Sequence, residues 1–347
     1  MIKSLIRKMR RSPLDFPVGH GETVADIVFA PLDAKGVEPV VADLGARNGM
    51  MLLPASYARR ARLIGFEPNA EEHAKLVAGN TDSRSAGGFL PPFKRQEYHP
   101  FAVWRKRERR PLYITLGAGA CTLMGETDKT VTGNMYLDLS NVRRHEAYYN
   151  HSTRVVRVDE VDCVTLDEAL GENTTVDFLK LDVEGAEVAA MEGAERLLNA
   201  HRALFIRSEF VTFPYYRQHD VFGKQHSFLN DRGYRLIGID LDHVTYRRGL
   251  RDLPESADRR MIYAGDAMFV PDPDRNDLSA EQRQRIAAVA LIFRFGSLAL
   301  SLMEEAGLTS KKDIARVDLA LRKTMTLPRV KQIFANLPSR IARQVRG

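Results

Sequence analysis

Cysteine is scarce: Cys121 and Cys163 are the only two in 347 residues, too far apart for a C-x-x-C pair. A disulfide scaffold and a cysteine-rich zinc site are excluded, and a reducing, cytoplasmic compartment is the expectation. The nine histidines lack metal-ligand spacing. No apolar h-region follows the basic start Met1-Ile2-Lys3-Ser4-Leu5-Ile6-Arg7-Lys8, so no secretory signal is read there. No internal repeat is visible. With 44% hydrophobic and 28% charged residues, the composition excludes disorder, collagen and coiled coil.

Acidic residues are sparse at both ends. Residues 281–347 hold 13 Lys/Arg against 5 Asp/Glu, and the first 14 residues carry five basic side chains and no acid. The overall charge of +6 therefore hides a middle, residues 15–280, at −7. Basic ends can meet anionic lipid, but solvated helix faces explain them as well. No basic motif interleaved with aromatics runs through the middle, so no nucleic-acid partner is expected.

Short apolar runs alternate with helical patterns between those ends. Strands are predicted at Val40–Leu44, Arg62–Glu67, Val176–Leu181, Ala203–Ser208, Tyr234–Ile239 and Ala267–Val270. Helices are predicted from Glu71 to Val77 and from about Glu184 to Asn199. Strands separated by helix-length segments imply parallel βαβ units, hence an open, mostly parallel α/β sheet with helices on both faces. Residues 84–111 read as loop and hairpin around the cluster Arg105-Lys106-Arg107-Glu108-Arg109-Arg110. Residues 121–154, with Tyr136, Tyr148 and Tyr149, read as an insertion over the site or at an oligomer contact.

The dinucleotide signature G-x-G-x-x-G is absent. The turn Asp43-Leu44-Gly45-Ala46-Arg47-Asn48-Gly49 follows a strand, but Arg47 stands where the second glycine would admit a pyrophosphate. Glu67 closes the next strand, where a carboxylate can accept both ribose hydroxyls. Asp43 and Glu67 suit a ligand with a ribose, an amino acid end and a sulfonium but no phosphate. That favours S-adenosylmethionine over NAD; a turn merely shaped by Gly45 and Gly49 is the plainer alternative.

Four stretches in this order resemble the FkbM family of S-adenosylmethionine-dependent methyltransferases. They are Asp43 to Gly49, Gly65-Phe66-Glu67-Pro68-Asn69, Thr165-Leu166-Asp167-Glu168, and Asp177-Phe178-Leu179-Lys180-Leu181-Asp182-Val183-Glu184-Gly185-Ala186-Glu187. The last is the most specific. The family often has Asn where Arg47 stands. The resemblance implies a class I methyltransferase (Rossmann-like) fold over residues 37–272, between a basic segment 1–36 and a basic helical extension 273–347. It also implies methylation, usually of an oxygen, on sugars, polyketides or other small or lipid-linked hydroxyl compounds. Asp43, Gly45, Ala46, Gly49, Glu67 and Pro68 are the residues expected at the methyl donor.

A hydroxyl acceptor needs a base or a metal to take its proton. Asp182, at the cofactor edge of its strand, is the leading base candidate, with Glu184 and Glu209 beside it. Glu184 and Glu187 can equally cap the following helix. Glu209 ends the neighbouring strand candidate, and strands ~4.8 Å apart would let it share a cavity with Asp182. Mg²⁺ between them is an alternative that two carboxylates do not establish, and no metal site is assigned. Lys180 is expected to reach a sheet-edge partner. His219 and His226 read as loop histidines, and Phe213, Tyr215, Tyr216 and Phe222 as acceptor-pocket or packing aromatics. The alternatives to a methyltransferase are an NAD-dependent oxidoreductase, disfavoured by Arg47, and a catalytically degenerate scaffold subunit.

In the tail, Ser279 with Gln282 has capping-box spacing and Gly307 suits a helix end. Ile286 to Met303 is apolar nearly all round, broken by Arg294. An Arg at the centre disfavours a membrane span. The expectation is a covered helix, a homo-oligomer formed through it, and at most peripheral membrane contact by the basic helices after Ser310.

Overall fold

The computed structural model describes residues 12–82, 90–126, 135–137, 153–214, 216, 218–246 and 261–325. These fall into two units, residues 38–278 and residues 12–37 with 279–325. In the first unit the strands are β1 (Val40–Leu44), β2 (Arg62–Phe66), β3 (Arg95–His99), β4 (Ala102–Val103), β5 (Glu108–Thr115) and β6 (Met135–Leu137). They continue with β7 (Val155–Val164), β8 (Phe178–Leu181), β9 (Ile206–Val211), β10 (Tyr234–Tyr246) and β11 (Met261–Pro271).

Eight of them form one sheet in the order β3-β2-β1-β8-β9-β11-β10-β6. From β3 to β9 every pair is parallel; β11, β10 and β6 are antiparallel to their neighbours. The parallel strands β1, β2 and β8 are apolar runs because both their faces are covered. One face packs Leu44, Phe66, Leu179, Leu181 and Phe210 against Met191, Leu198 and Leu229, which lie on or beside the helices. Here α1 is Ala70–Ala78, α2 Glu187–Glu192, α3 Glu195–Asn199 and α4 Phe222–Asp231. A smaller sheet, β4-β7-β5, encloses a second core with Trp104, Leu112, Leu123, Ala186 and Tyr216.

Several expected boundaries shift. The fourth strand runs Ile206–Val211 rather than Ala203–Ser208, which places Glu209 inside it. Tyr234–Ile239 and Ala267–Val270 are the inner parts of a long antiparallel pair, β10 and β11, so the last strands are not βαβ units. The single helix expected from Glu184 to Asn199 is two, α2 and α3, parted at Gly193. A Cβ on Gly193 would come within 2.1 Å of the Trp104 carbonyl oxygen, so the break accommodates close packing on the residue that follows β4. The stretch 84–111 holds the sheet's edge strand β3, which its polar sequence concealed. Its basic cluster is matched by acids: Arg105, Lys106, Arg107, Arg109 and Arg110 each pair with a carboxylate. Tyr148 and Tyr149 lie outside the described residues.

In the other unit, α5 (Ala280–Ile292), α6 (Gly296–Ala306) and α7 (Lys311–Met325) accompany a helix at Val24–Asp33. The Ser279–Gln282 capping box forms, and Gly307 ends α6 in a left-handed conformation. The apolar run is not one helix: it breaks at Phe293–Phe295, with Arg294 at φ +67°. Residues Ile286 to Leu291 are at most 1% exposed, and α5 packs on Val24–Asp33 and α6. No helix of the described residues is long and apolar enough to cross a membrane.

Candidate active site

Chain order reverses between β1 and β8, and at such a switch point the loops leaving the strand ends diverge to leave a crevice. A cavity of about 460 Å³ lies there, within the size range of small-molecule sites. Its near wall is the turn after β1. Gly45, at φ +77°, lies so close to β8 that a Cβ would sit 1.8 Å from the Asp182 carbonyl oxygen. Only glycine lets the turn pass, and it leaves bare backbone towards the cavity. The amides of Gly45 and Ala46 both donate to the Phe66 carbonyl, at 3.1 and 3.0 Å, which ties the turn to β2. Arg47 lines the cavity while its Nε meets Glu72 Oε2 at 3.0 Å and its Nη2 meets Asp82 Oδ2 at 3.1 Å.

Glu67 follows β2 and is 6% exposed. Its Oε1 accepts from the Asn69 amide at 2.9 Å, and Asn69 Oδ1 caps α1 by accepting from Glu71 and Glu72. Burial pushes the Glu67 carboxyl up to about 7, against the lowering effect of the Asn69 hydrogen bond. Pro68 lines the cavity beside it.

Strand alternation sets the floor. Lys180, Asp182, Arg207 and Glu209 project from one face of β8, β9 and their ends, and all line the cavity. Lys180 Nζ lies 3.2 Å from Asp43 Oδ1 and 3.1 Å from Asp182 Oδ2, and donates to the Gly45 carbonyl at 3.3 Å. Burial works to discharge this ammonium, but Asp43 and Asp182 outweigh it and hold the group above the ordinary lysine value. Arg207 donates through Nη2 to Asp266 Oδ2 at 2.6 Å.

Asp182, Glu184 and Glu209 each offer a carboxylate oxygen, and these lie within 4.8 Å of one another. Burial first, then Asp182, pushes Glu184 and Glu209 well above the usual carboxylate range. Crowded carboxylates are stabilised by nearby positive charge, which Lys180 already supplies to Asp182. Such a trio can accept a proton, or hold a hard divalent cation through oxygen.

The structure sorts the expected site residues. Gly45, Gly49, Glu67, Pro68, Asp182, Glu184 and Glu209 line one cavity; Asp43 and Ala46, 1% and 0% exposed, lie behind its wall. Lys180 reaches no sheet edge: it is the central cation of the floor, between β1 and β8. Glu187 turns away from the cavity, its Oε1 accepting from the amides of Val183 and Gly185 at 3.0 and 3.3 Å. Tyr216 is core, and Phe222 packs on Phe210 with ring centroids 4.4 Å apart; Tyr215 lies outside the described residues. His219 is half-buried against Tyr216, and burial pushes it down to about 4. His226 is on α4, its ring 5.8 Å from that of Phe222. Both cysteines are free thiols, and Cys121 lines the cavity. Sequence reading missed Arg207 and the lining from β4, β5 and Leu123; Arg207 was signalled by its period-two spacing from Glu209.

A crevice at the switch point of a doubly wound sheet, walled by a glycine turn and buried acids, defines a Rossmann-like nucleotide-ligand fold of the class I methyltransferase type. The methyltransferase FkbM domain is matched over residues 43–236, more than half of the chain, and the protein belongs to that family. No curated protein matches the chain. Two solved structures are similar in part, both of magnesium protoporphyrin IX methyltransferase (ChlM) from Synechocystis PCC 6803. The one with bound SAH is 10% identical, and the match covers 78% of this chain and 95% of that one at a TM-score of 0.31. The one with bound SAM is 12% identical, covering 78% and 98% at the same TM-score. A TM-score of 0.31 is too low for either to bear on function.

Proposed function

We propose that the chain transfers a methyl group from S-adenosylmethionine to a hydroxyl oxygen of a sugar, polyketide or lipid-linked small molecule. One observation carries this reading: a single cavity joins the glycine turn and Glu67 to the carboxylates of Asp182, Glu184 and Glu209. The residues suit the donor. Gly45 leaves room for close backbone approach, Glu67 lines the cavity with a carboxylate that can accept from ribose hydroxyls, and the cluster of Asp182, Glu184 and Glu209 can face a sulfonium. When bound, S-adenosylmethionine supplies an electrophilic methyl on a positively charged sulfur.

The chain's own residues then align and deprotonate the acceptor. Asp182, fixed by Lys180, faces the cavity from the end of β8 and takes the hydroxyl proton as the oxygen–carbon bond forms. The products are a methyl ether, neutral S-adenosylhomocysteine and a protonated carboxyl. Met51 and Leu52, 49% and 37% exposed on the cavity lining, support an acceptor with apolar surface.

The test uses labelled donor with a panel of hydroxylated acceptors. Asp182→Asn should keep S-adenosylhomocysteine binding and lose at least ~100-fold in turnover. A chelator separates the roles, since loss of activity on chelation assigns the carboxylates to Mg²⁺ ligation rather than to proton acceptance alone. Full turnover in the variant and in chelator contradicts the assignment of Asp182.

A further inference from the structure

Glu184 stands in a backbone conformation it would not hold unaided. Its φ is +52°, followed by Gly185 at +97°, and a non-glycine residue in the left-handed region persists only where its surroundings over-determine it. Two side chains from distant segments meet it. Thr122 is 1% exposed, just beyond β5, and its backbone pairs in both directions with Tyr113. Thr122 Oγ1 accepts from the Met124 amide at 3.0 Å, so its single proton is directed to the Glu184 carbonyl, 2.6 Å away. Tyr216, 1% exposed beyond β9, donates from its hydroxyl to Glu184 Oε2 at 3.4 Å. Gly185 completes the fit: a Cβ there would lie 3.1 Å from each of Met124, Tyr216 and His219.

We propose that Thr122 and Tyr216 are positioning residues for Glu184, the first fixing its backbone and the second aiming its carboxylate at Asp182 and Glu209. The proposal rests on reading those carboxylates as the acceptor side of a methyltransferase site. Thr122 belongs to the wall that includes Leu123, and Tyr216 to the core of the smaller sheet, so the third carboxylate is set only once β5 and β9 have docked. A hydroxyl that both accepts and donates within the chain, and a phenol buried to 1%, leave Glu184 little freedom to swing out of the cavity.

The experiment compares crystal structures of the full chain carrying Thr122→Val, Thr122→Ser or Tyr216→Phe, with S-adenosylhomocysteine affinity measured for each. Valine keeps threonine's shape and removes its hydrogen bonds; serine keeps the hydroxyl. Thr122→Ser should leave Glu184 left-handed and in place. Thr122→Val should return φ to negative values and withdraw the carboxylate from Asp182 and Glu209. Tyr216→Phe should keep the backbone and turn the carboxylate away. S-adenosylhomocysteine affinity should change by less than about twofold in all three, which a general loss of structure would not allow. Glu184 unmoved in either Thr122→Val or Tyr216→Phe overturns that residue's role, and Thr122→Ser behaving like Thr122→Val overturns the role of the hydroxyl. If Thr122→Val fails to fold, Tyr216→Phe decides. A wild-type chain that binds no S-adenosylhomocysteine defeats the methyltransferase reading while the position of Glu184 still answers the structural claim.

Discussion

Glu67 is a carboxylate kept from water, and its protonation should register in both stability and binding. Burial pushes it up to about 7 in the folded chain, against an ordinary value of 4.5. The folded state therefore binds more protons between those values. The contribution is fully present below about 4.5 and lost as pH rises through about 7. Glu67→Gln removes this penalty. The ligand-free variant should be more stable than wild type at pH 8 by roughly 1–3 kcal/mol, read from thermal melts. Its S-adenosylhomocysteine affinity should fall at least about tenfold, because an amide accepts more weakly from ribose hydroxyls. A lower melting temperature with unchanged affinity would contradict both parts. Lys180 is the complementary case. Lys180→Met leaves Asp43, 1% exposed, without its cation and should cost about 3–5 kcal/mol in urea titration. Adding Asp43→Asn should recover much of that loss; no recovery would mean the pair is not what Lys180 stabilises. Asp182 and Glu209 could be paired from sequence because strand spacing and period-two alternation are local properties. The Thr122 and Tyr216 contacts to Glu184 could not, since each joins segments brought together only by the packed sheets.

The turn after β1 shows the same division at the scale of elements. β1 and β2 were legible to within a residue because strands buried on both faces must be continuous apolar runs. β3 was not, since an edge strand tolerates the polar sequence Arg95-Gln96-Glu97-Tyr98-His99. The apolar pattern starts three residues before β9 because Ala203, Leu204 and Phe205 are as buried as the strand itself. β7 gives no buried-strand signal: it is the middle strand of the smaller sheet, and its Val156 and Val158 stay about half exposed. The glycine turn was readable as a turn, but not the reason for Gly45, the Asp182 carbonyl 1.8 Å from any added Cβ. Gly45→Ala must therefore part β1 from β8 as well as strain its own φ. The expected result is a loss of more than about 2 kcal/mol together with loss of S-adenosylhomocysteine binding. A stable variant that binds normally would show that the turn can shift without harm to the site.

The apolar run that could pass for a membrane segment is two helices parted at Phe293–Phe295, and the first is covered along Ile286 to Leu291. Within that unit, α5 and α7 pack on Val24–Asp33, whose Val28 and Leu32 are fully buried. Deleting residues 275–347 should strip this helix and cause aggregation or a change in oligomer size by light scattering. A truncated chain that stays soluble at unchanged subunit number would contradict a structural role for the extension. Ligand choice at the switch-point cavity is read by calorimetric titration of the full chain with S-adenosylhomocysteine and, separately, with NAD. The expected result is saturable one-to-one binding of S-adenosylhomocysteine, weakened at least about tenfold by Glu67→Gln, and no heat from NAD. Saturable NAD binding with none from S-adenosylhomocysteine would contradict it.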